Sequence, residues 1–444
     1  MGARPSRAIC LLAVLVVIAE GCLLRNPYLT DALATSERLN FATADDSSVP
    51  IVTYGASPSC AGSSVQADLV SSIDVATRVE YQWTAHLGGL SAGTSYCYRI
   101  SQGGADQLNG ATPTFATPPT AGATAPFSFA VLGDFGAGTT DETKVLGQIR
   151  AANPNFVVTV GDNAYDDGTQ SDYGDVASGN VFNAPDWPLG QAAPWFAAQG
   201  NHGFDDSSAY LQNFPQDDVV NASNGRLRQD SYCCLGVMPQ ANTFASAWYA
   251  FDWGNARFYI LEAAWSDNFG SLEGDFQAHW NGPVAGCAEC GAELSWLQAD
   301  LAAHASTPLK FAFFHYPLHA DTNGEGTDAY LDGPNALEGL LATHGVKVVF
   351  NGHAHIYERN LPTIAGTPMV SYVTGAGGNW LGTVPTCSSS DAYALGTGSS
   401  CHAPMPTSDA SVYSFLNVTV NGTHVTVAPT NENGGTFDVQ TYDF

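Results

Sequence analysis

The stretch with the fewest structural alternatives is 346–359. Val346-Lys347-Val348-Val349-Phe350 is β-branched and apolar, and it follows a helical pattern. It runs directly into Asn351-Gly352-His353-Ala354-His355-Ile356-Tyr357-Glu358-Arg359. Such a run is expected to be a buried parallel strand. Ligands of open α/β sheets gather just beyond the carboxyl ends of the strands. Side chains two apart on an extended segment share a face, so His353 and His355 can reach one metal cluster. A lone His-x-His pair is weak support, because a histidine after an apolar strand is more often a hydrogen-bonded interior residue. The pair gains meaning only if the rest of the chain supplies partners.

It does so four times upstream. Segment 127–132 is an apolar strand ending in Gly133-Asp134-Phe135-Gly136. A helical pattern over 141–152 and a strand over 156–160 follow, the latter ending in Gly161-Asp162-Asn163-Ala164-Tyr165, which makes a βαβ unit. Segment 195–199 leads into Gly200-Asn201-His202-Gly203. A strand at 257–262 and an amphipathic helix at 293–304 precede a strand at 309–314, which ends at His315-Tyr316-Pro317-Leu318-His319. A helix over 334–344 leads to the final strand. Beyond it, alternation at Val418, Val420, Val425 and Val427 predicts closing antiparallel strands.

Singly, each strand-end loop has an ordinary explanation, since Gly-Asp commonly marks a turn or a helix cap. Together, Asp134, Asp162, Tyr165, Asn201, His202, His315, His353 and His355 are expected at the carboxyl ends of one sheet, where they would form a metal site. Carboxylate, amide, phenol and imidazole without thiolate disfavour structural zinc and iron–sulfur centres. The two oxygens of Asp162 can bridge two ions, and a phenolate suits trivalent iron.

Composition narrows the partners. The chain has 444 residues, 45% of them hydrophobic, with 46 Gly and 24 Pro, which is enough for a large core and two loop-rich domains. A net charge of -28 with only 14 Lys and Arg argues against nucleic acid as a partner. It also opposes long-range steering of phosphate esters. Screening over about 8 Å at physiological salt weakens that opposition, and bound cations can reverse it locally.

Segment 24–120 carries short alternating strands at 51–54, 64–69, 78–83 and 94–100 and reads as a small β-sandwich. Its stretch 86–100 resembles a fibronectin type III edge. Residues 111–125, rich in Thr, Pro, Ala and Gly, form the linker to a second domain over 126–444. At the start, Arg4 and Arg7 precede an apolar run at 9–18 and then Ala19-Glu20-Gly21. That is the pattern of an export signal over 1–22, too short to span a bilayer. Cys22 stands where a lipid anchor could attach, so the chain is expected to be secreted, periplasmic or lipid-anchored. In an oxidising compartment the remaining cysteines become disulfide candidates. Cys60 with Cys97 and Cys387 with Cys401 each bracket one local segment. Cys287 with Cys290 reads as a local bridge rather than half a zinc site, and Cys233 and Cys234 complete the eight. Asn221, Asn417 and Asn421 are glycosylation acceptors if the host glycosylates.

Gly133-Asp134-Phe135-Gly136, Gly161-Asp162-Asn163-Ala164-Tyr165, Gly200-Asn201-His202, His315 and Gly352-His353-Ala354-His355 resemble the five ordered motifs of the purple acid phosphatases. These are members of the calcineurin-like metallophosphoesterase superfamily. Tyr357-Glu358-Arg359 fits the same family, and the tyrosine at 165 separates it from most other metallophosphoesterases. The resemblance implies an α/β fold: a metallophosphoesterase-type β-sheet sandwich flanked by helices, preceded by a small all-β fibronectin type III-like domain. It implies Fe(III) on Asp134, Tyr165 and His355, a divalent ion (Fe, Zn or Mn) on Asn201, His315 and His353, and Asp162 between them. His202 would meet the substrate phosphate or the leaving group, with His319 the second candidate for that task.

Two departures stand out. Gly203 replaces an acidic residue that often follows Asn-His, so support for His202 must come from elsewhere. Phe313-Phe314 replaces a smaller pair before His315. The implied reaction is hydrolysis of small-molecule phosphate monoesters: two ions roughly 3.5–4 Å apart would hold the phosphate and supply a hydroxide for in-line attack, with His202 as proton donor. A phosphodiesterase or nucleotide pyrophosphatase on the same ligands is one alternative. An exported binding lipoprotein with a vestigial metal site is another.

Overall fold

The computed structural model describes residues 23–75, 78–203, 207–216, 248–262, 292–322, 331–364, 366–388 and 390–444. The export signal with Cys22, the acceptor Asn221, and Cys233, Cys234, Cys287 and Cys290 lie outside the described residues. Apolar and β-branched runs bounded by turn formers become the central strands, such as Phe127–Leu132, Phe156–Val160 and Leu309–Phe313. The N-terminal segment forms β1 (Leu23–Leu33), β2 (Ser36–Thr43), β3 (Ile51–Ala56), β4 (Ser63–Gln66), β5 (Asp68–Val75), β6 (Arg78–Gly88), β7 (Ser95–Gln102), β8 (Ala105–Asp106) and β9 (Thr114–Ala116). The middle of the chain alternates types: β10 (Phe127–Leu132), α1 (Thr140–Ala152), β11 (Phe156–Val160), α2 (Gln170–Tyr173), β12 (Trp195–Ala198) and α3 (Ser207–Asn213). Next come β13 (Tyr249–Trp253), β14 (Ala256–Ile260), α4 (Ala292–Ala303), β15 (Leu309–Phe313), α5 (Leu337–Thr343) and β16 (Val348–Asn351). The remainder is β17 (Tyr357–Asn360), β18 (Thr363–Ile364), β19 (Thr367–Pro368), β20 (Val370–Thr374), β21 (Asp391–Gly396), β22 (Ser399–Cys401), β23 (Ser414–Asn421), β24 (His424–Asn431) and β25 (Gln440–Asp443).

Two large sheets result. The first runs β25-β24-β23-β10-β11-β12-β1-β2-β6-β5, and the second runs β13-β14-β15-β16-β20-β17-β21-β22. Parallel pairs β10/β11 and β11/β12 form the heart of the first, and β14/β15, β15/β16 and β16/β20 that of the second. Their facing surfaces share one apolar cluster. Phe129, Phe156 and Phe196 from the first sheet meet Phe258, Phe311, Phe313 and Phe350 from the second. The rings of Phe129 and Phe156 stack at 5.1 Å, and Phe258 meets Phe129 edge-on at 5.3 Å. Burying each such side chain stabilises the sandwich by about 1.5–3 kcal/mol. Helices cover the outer faces: α1 packs Val145, Leu146 and Ile149 on the first sheet, and α4 and α5 pack Leu297, Leu301 and Leu341 on the second. This is the expected sandwich flanked by helices.

The N-terminal strands divide between sheets. β3, β4, β7, β8 and β9 form a small sheet, which packs Val52, Tyr98, Ile100 and Phe115 against Leu39, Phe41 and Trp83 of β2 and β6. Strand β1, by contrast, pairs in parallel with β12 through Thr30 and Trp195, so β1, β2, β6 and β5 prolong the first large sheet. Both locally bracketed disulfides form: Cys60–Cys97 and Cys387–Cys401. One expectation changes. The strands that end in the candidate ligands belong to two sheets, not one, and the candidate site lies where their carboxyl ends meet.

Candidate metal centre

Asp134 follows β10, Asp162 and Tyr165 follow β11, and Asn201 and His202 follow β12, all in the first sheet. His315 follows β15, and His353 and His355 follow β16, in the second. Three of these residues turn sharply out of their strands, with positive φ of 56° at Asp134, 46° at Asp162 and 64° at His353. Residues other than glycine adopt that region at a cost on the order of 1–3 kcal/mol. Hydrogen bonds hold the turns. The His353 amide donates to Asp134 Oδ2 (2.9 Å), the His202 amide to Asp162 Oδ1 (2.8 Å) and the Asp134 amide to the Gly161 carbonyl (3.1 Å). Glycine is required beside them. A Cβ at Gly200 would sit 2.1 Å from Asp162 Oδ1, and one at Gly161, whose φ is +97°, would sit 2.3 Å from His315 Nδ1.

The seven expected ligands gather into two halves joined by one carboxylate. In the first half the Tyr165 hydroxyl lies 3.1 Å from Asp134 Oδ1 and 3.3 Å from His355 Nε2, and His355 Nε2 lies 3.2 Å from Asp134 Oδ1. In the second, Asn201 Oδ1 lies 2.8 Å from His315 Nε2 and 3.0 Å from His353 Nδ1. Asp162 stands between them, with Oδ2 2.8 Å from the Tyr165 hydroxyl and Oδ1 3.4 Å from His315 Nε2. Asp134, Asp162, Tyr165, His315, His353 and His355 are all buried. Backbone carbonyls fix the ring orientations: His315 Nδ1 donates to Val160 (2.9 Å) and His355 Nδ1 to Trp380 (2.7 Å). Each Nε2 therefore presents its lone pair to the cluster.

The electrostatics show how much the cluster lacks by itself. Burial, and then the carboxylates of Asp134 and Asp162, push the Tyr165 phenol well above its ordinary range. Burial would also lower His315, but the Asp162 carboxylate outweighs it and raises that ring to about 9. Burial and the neighbouring charge of His315 push His353 down to about 3. Burial alone would raise Asp162, yet His315 holds it below the usual carboxylate range. Buried charge of this density is costly unless compensated. Donor atoms of Asp134, Asp162 and His315 lie within 4.8 Å of one another. Oxygen and imidazole donors converging on two neighbouring points, without sulfur, fit a pair of cations.

His202 lies at the edge of the cluster, its ring 4.5 Å from that of Tyr165 and its Nε2 4.0 Å from Asp162 Oδ2. Its Nδ1 donates to the Asp166 carbonyl, so a main-chain oxygen does what an acidic residue at 203 was expected to do. His319 is placed differently: its Nε2 pairs with buried Glu338 at 2.7 Å, and it makes no hydrogen bond to the seven donors. Sequence reasoning missed three supports. Asn163 bonds Thr159 and the Ala198 carbonyl, tying the ends of β11 and β12. Asn379 donates its amide to the Asp134 carbonyl at 3.1 Å. The Trp380 carbonyl orients His355. The glycine run 375–378 marks that last loop, but nothing in it announces which strand ends it touches.

The Calcineurin-like phosphoesterase family model matches residues 127–357, just over half of the chain, and the purple acid phosphatase N-terminal domain model matches residues 26–117. Purple acid phosphatase 22 of Arabidopsis thaliana is 28% identical over 72% of this chain and 63% of its own length. Purple acid phosphatase 21 of the same plant is 29% identical over 62% of this chain and 52% of its own. The chain thus spans about half to two-thirds of the length of these curated relatives. Among solved structures, purple acid phosphatase PPD1 from yellow lupin seeds superposes with a TM-score of 0.64 at 18% identity, covering 94% of this chain and 73% of that one. A PhoD structure does so with 0.57 at 13%, covering 94% and 88%. These two likenesses concern the fold.

Proposed function

We propose, on the premise that the chain belongs to the calcineurin-like phosphoesterases and carries a purple acid phosphatase N-terminal domain, that it is an exported acid phosphatase acting on phosphate monoesters at a two-metal centre. One observation carries the reading: Asp162 turns one oxygen to the Tyr165 half of the cluster and the other to the His315 half. A carboxylate so placed suits a bridge between two ions.

Asp134, Tyr165 and His355 would hold Fe(III), and Asn201, His315 and His353 a divalent Fe, Zn or Mn. When bound, the ions would supply Lewis-acid polarisation of the phosphoryl group and a nucleophilic water at low pH. The chain's own groups do the rest. Asp162 and Asp134, fixed by main-chain amides, keep the donors in register. His202, part-exposed at the edge and fixed through Nδ1, presents Nε2 toward the reaction volume, where as imidazolium it would give a proton to the departing alkoxide. His319, with Nε2 held by Glu338, would meet a substrate through Nδ1 alone. The two disulfides support export into an oxidising compartment, and the acidic surface leaves small phosphoesters rather than nucleic acid as partners.

The test is Asp162→Ala, read by metal analysis and by turnover of a monoester and a diester. We expect bound metal to fall from two ions to one or none, and turnover of the monoester to fall by about a thousandfold or more. Full metal content with substantial turnover in the variant ends the assignment. A wild-type protein faster on the diester moves the substrate class.

A further inference from the structure

Trp83, Trp187, Trp195, Trp248 and Trp253 are buried, whereas Trp380 is 59% exposed. An indole left this far in water forgoes much of the stabilisation that burying it brings. It also borders the candidate metal centre, with its ring 4.3 Å from that of His355 and tilted by 54°. The main chain beneath it is pinned on both sides. The Trp380 carbonyl accepts from His355 Nδ1 (2.7 Å), and the Gly382 amide donates to the His355 carbonyl (2.8 Å). Its own amide donates to Asn379 Oδ1 (2.8 Å), and the Asn379 amide is bound to the Asp134 carbonyl. The backbone that carries the indole is therefore fixed and the ring rests against that of His355, so a partner stacking on its exposed face has less to order than on a free loop.

We infer that Trp380 is a specificity-determining residue, an aromatic platform at the rim that favours phosphate monoesters bearing a flat π system close to the ester oxygen. The inference rests on the phosphatase reading above and names the substrate class that reading leaves open. An offset-stacked or edge-on aromatic partner gains attraction beyond its buried area that a saturated ring of the same size does not. The recognition is one of shape and π-face, independent of how readily the alcohol leaves.

The experiment compares metal-loaded wild type with Trp380→Phe, Trp380→Leu and Trp380→Ala on benzyl phosphate and cyclohexylmethyl phosphate. Their leaving alcohols are similar in basicity and differ in flatness. The expected result is a benzyl-to-cyclohexylmethyl ratio of kcat/KM that falls about fivefold in the Leu and Ala variants, through KM, and is largely kept in Phe. Any uniform loss from disturbing His355 cancels in the ratio. An unchanged ratio in both Leu and Ala overturns the inference. Calorimetric titration with benzylphosphonate and cyclohexylmethylphosphonate gives the same comparison without turnover. If neither ester is hydrolysed, the phosphatase reading fails, and the affinities still decide the platform. A preference lost in the variants supports it, and no preference in wild type overturns it.

Discussion

At the scale of single residues, Tyr165 separates this centre from a plain carboxylate–histidine site. Its hydroxyl touches Asp134, Asp162 and His355 at once. Burial and the two carboxylates keep the phenol protonated in the absence of cations, so a phenolate here depends on a strongly charged ion. Tyr165→Phe keeps the ring's packing against His202 while removing that oxygen. If Fe(III) sits in this half, the variant is expected to lose the visible phenolate-to-iron absorption band. Its metal affinity should fall by at least about 10–100-fold, the loss typical for deleting a mere outer partner of a metal site. A visible spectrum identical to wild type would sink the iron–tyrosinate reading. All seven proposed ligands were legible as residue types at strand ends. Their left-handed turns and the carbonyls that aim His315 and His355 were not, because those depend on partners more than a hundred residues away in the chain or on a loop without a signature.

At the scale of elements, local rules were readable where they were local. Thr139 caps α1 by accepting from the Glu142 amide, as the Thr-x-x-Glu spacing requires. Glu142 folds back to accept from the amides of Ala137 and Gly138 (3.0 and 2.7 Å) beneath the loop that carries Asn379. Burial pushes its carboxyl up to about 8, only partly offset by these bonds. The native state then holds a proton that the unfolded chain releases near its ordinary value. The associated stability is complete at pH below about 4.5 and is lost as pH rises toward 8, by up to about 1.4 kcal/mol per unit. Glu142→Gln keeps an acceptor and removes the titration. Urea unfolding at pH 5 and pH 8 should show a smaller decline for the variant, and equal declines would refute the burial argument. Strand β1 shows where legibility ended. It is buried almost throughout, on both faces, and even Arg25 is enclosed, paired with Glu80 (3.1 Å) and Asn213 (2.7 Å). No period-2 alternation survives in such a strand, so the sequence pattern begins only at β3. The Tyr357-Glu358-Arg359 motif likewise has a role that only the fold exposes. Tyr357 and Arg359 point to one side and bind Asp438 near the C-terminus, while Glu358 points to the other and holds the Asp321 amide.

At the scale of the whole molecule, charge is the property most exposed to solvent conditions. A net charge of -28 on one folded chain is self-repulsive, and the compact state suffers more from it than the expanded one. Two independent physical effects then point the same way with pH. Protonating surface carboxylates reduces the repulsion, and burial pushes Glu37, Glu142 and Glu358 upward, so each is neutral in acid and costly to ionise as pH rises. Neither effect was visible as structure in the sequence, although the charge total was. The candidate metal centre would oppose the trend locally, because bound cations would draw in carboxylate charge rather than shed it. Salt distinguishes the surface contribution from the buried one. Between about 0.01 M and 0.3 M sodium chloride the screening length falls from about 30 Å to well under 10 Å, which weakens repulsion between distant surface charges and leaves buried groups nearly untouched. Calorimetry at pH 8 should therefore show the unfolding midpoint rising by about 2 °C or more across that range. At pH 5, with part of the surface charge already neutralised, the same salt step should raise it less. A midpoint that is insensitive to salt at pH 8 would mean that the acidic surface is too well separated to strain the fold, and would leave the buried carboxylates to account for any gain of stability in acid. An equal response at both pH values would mean that the salt effect does not come from carboxylate repulsion.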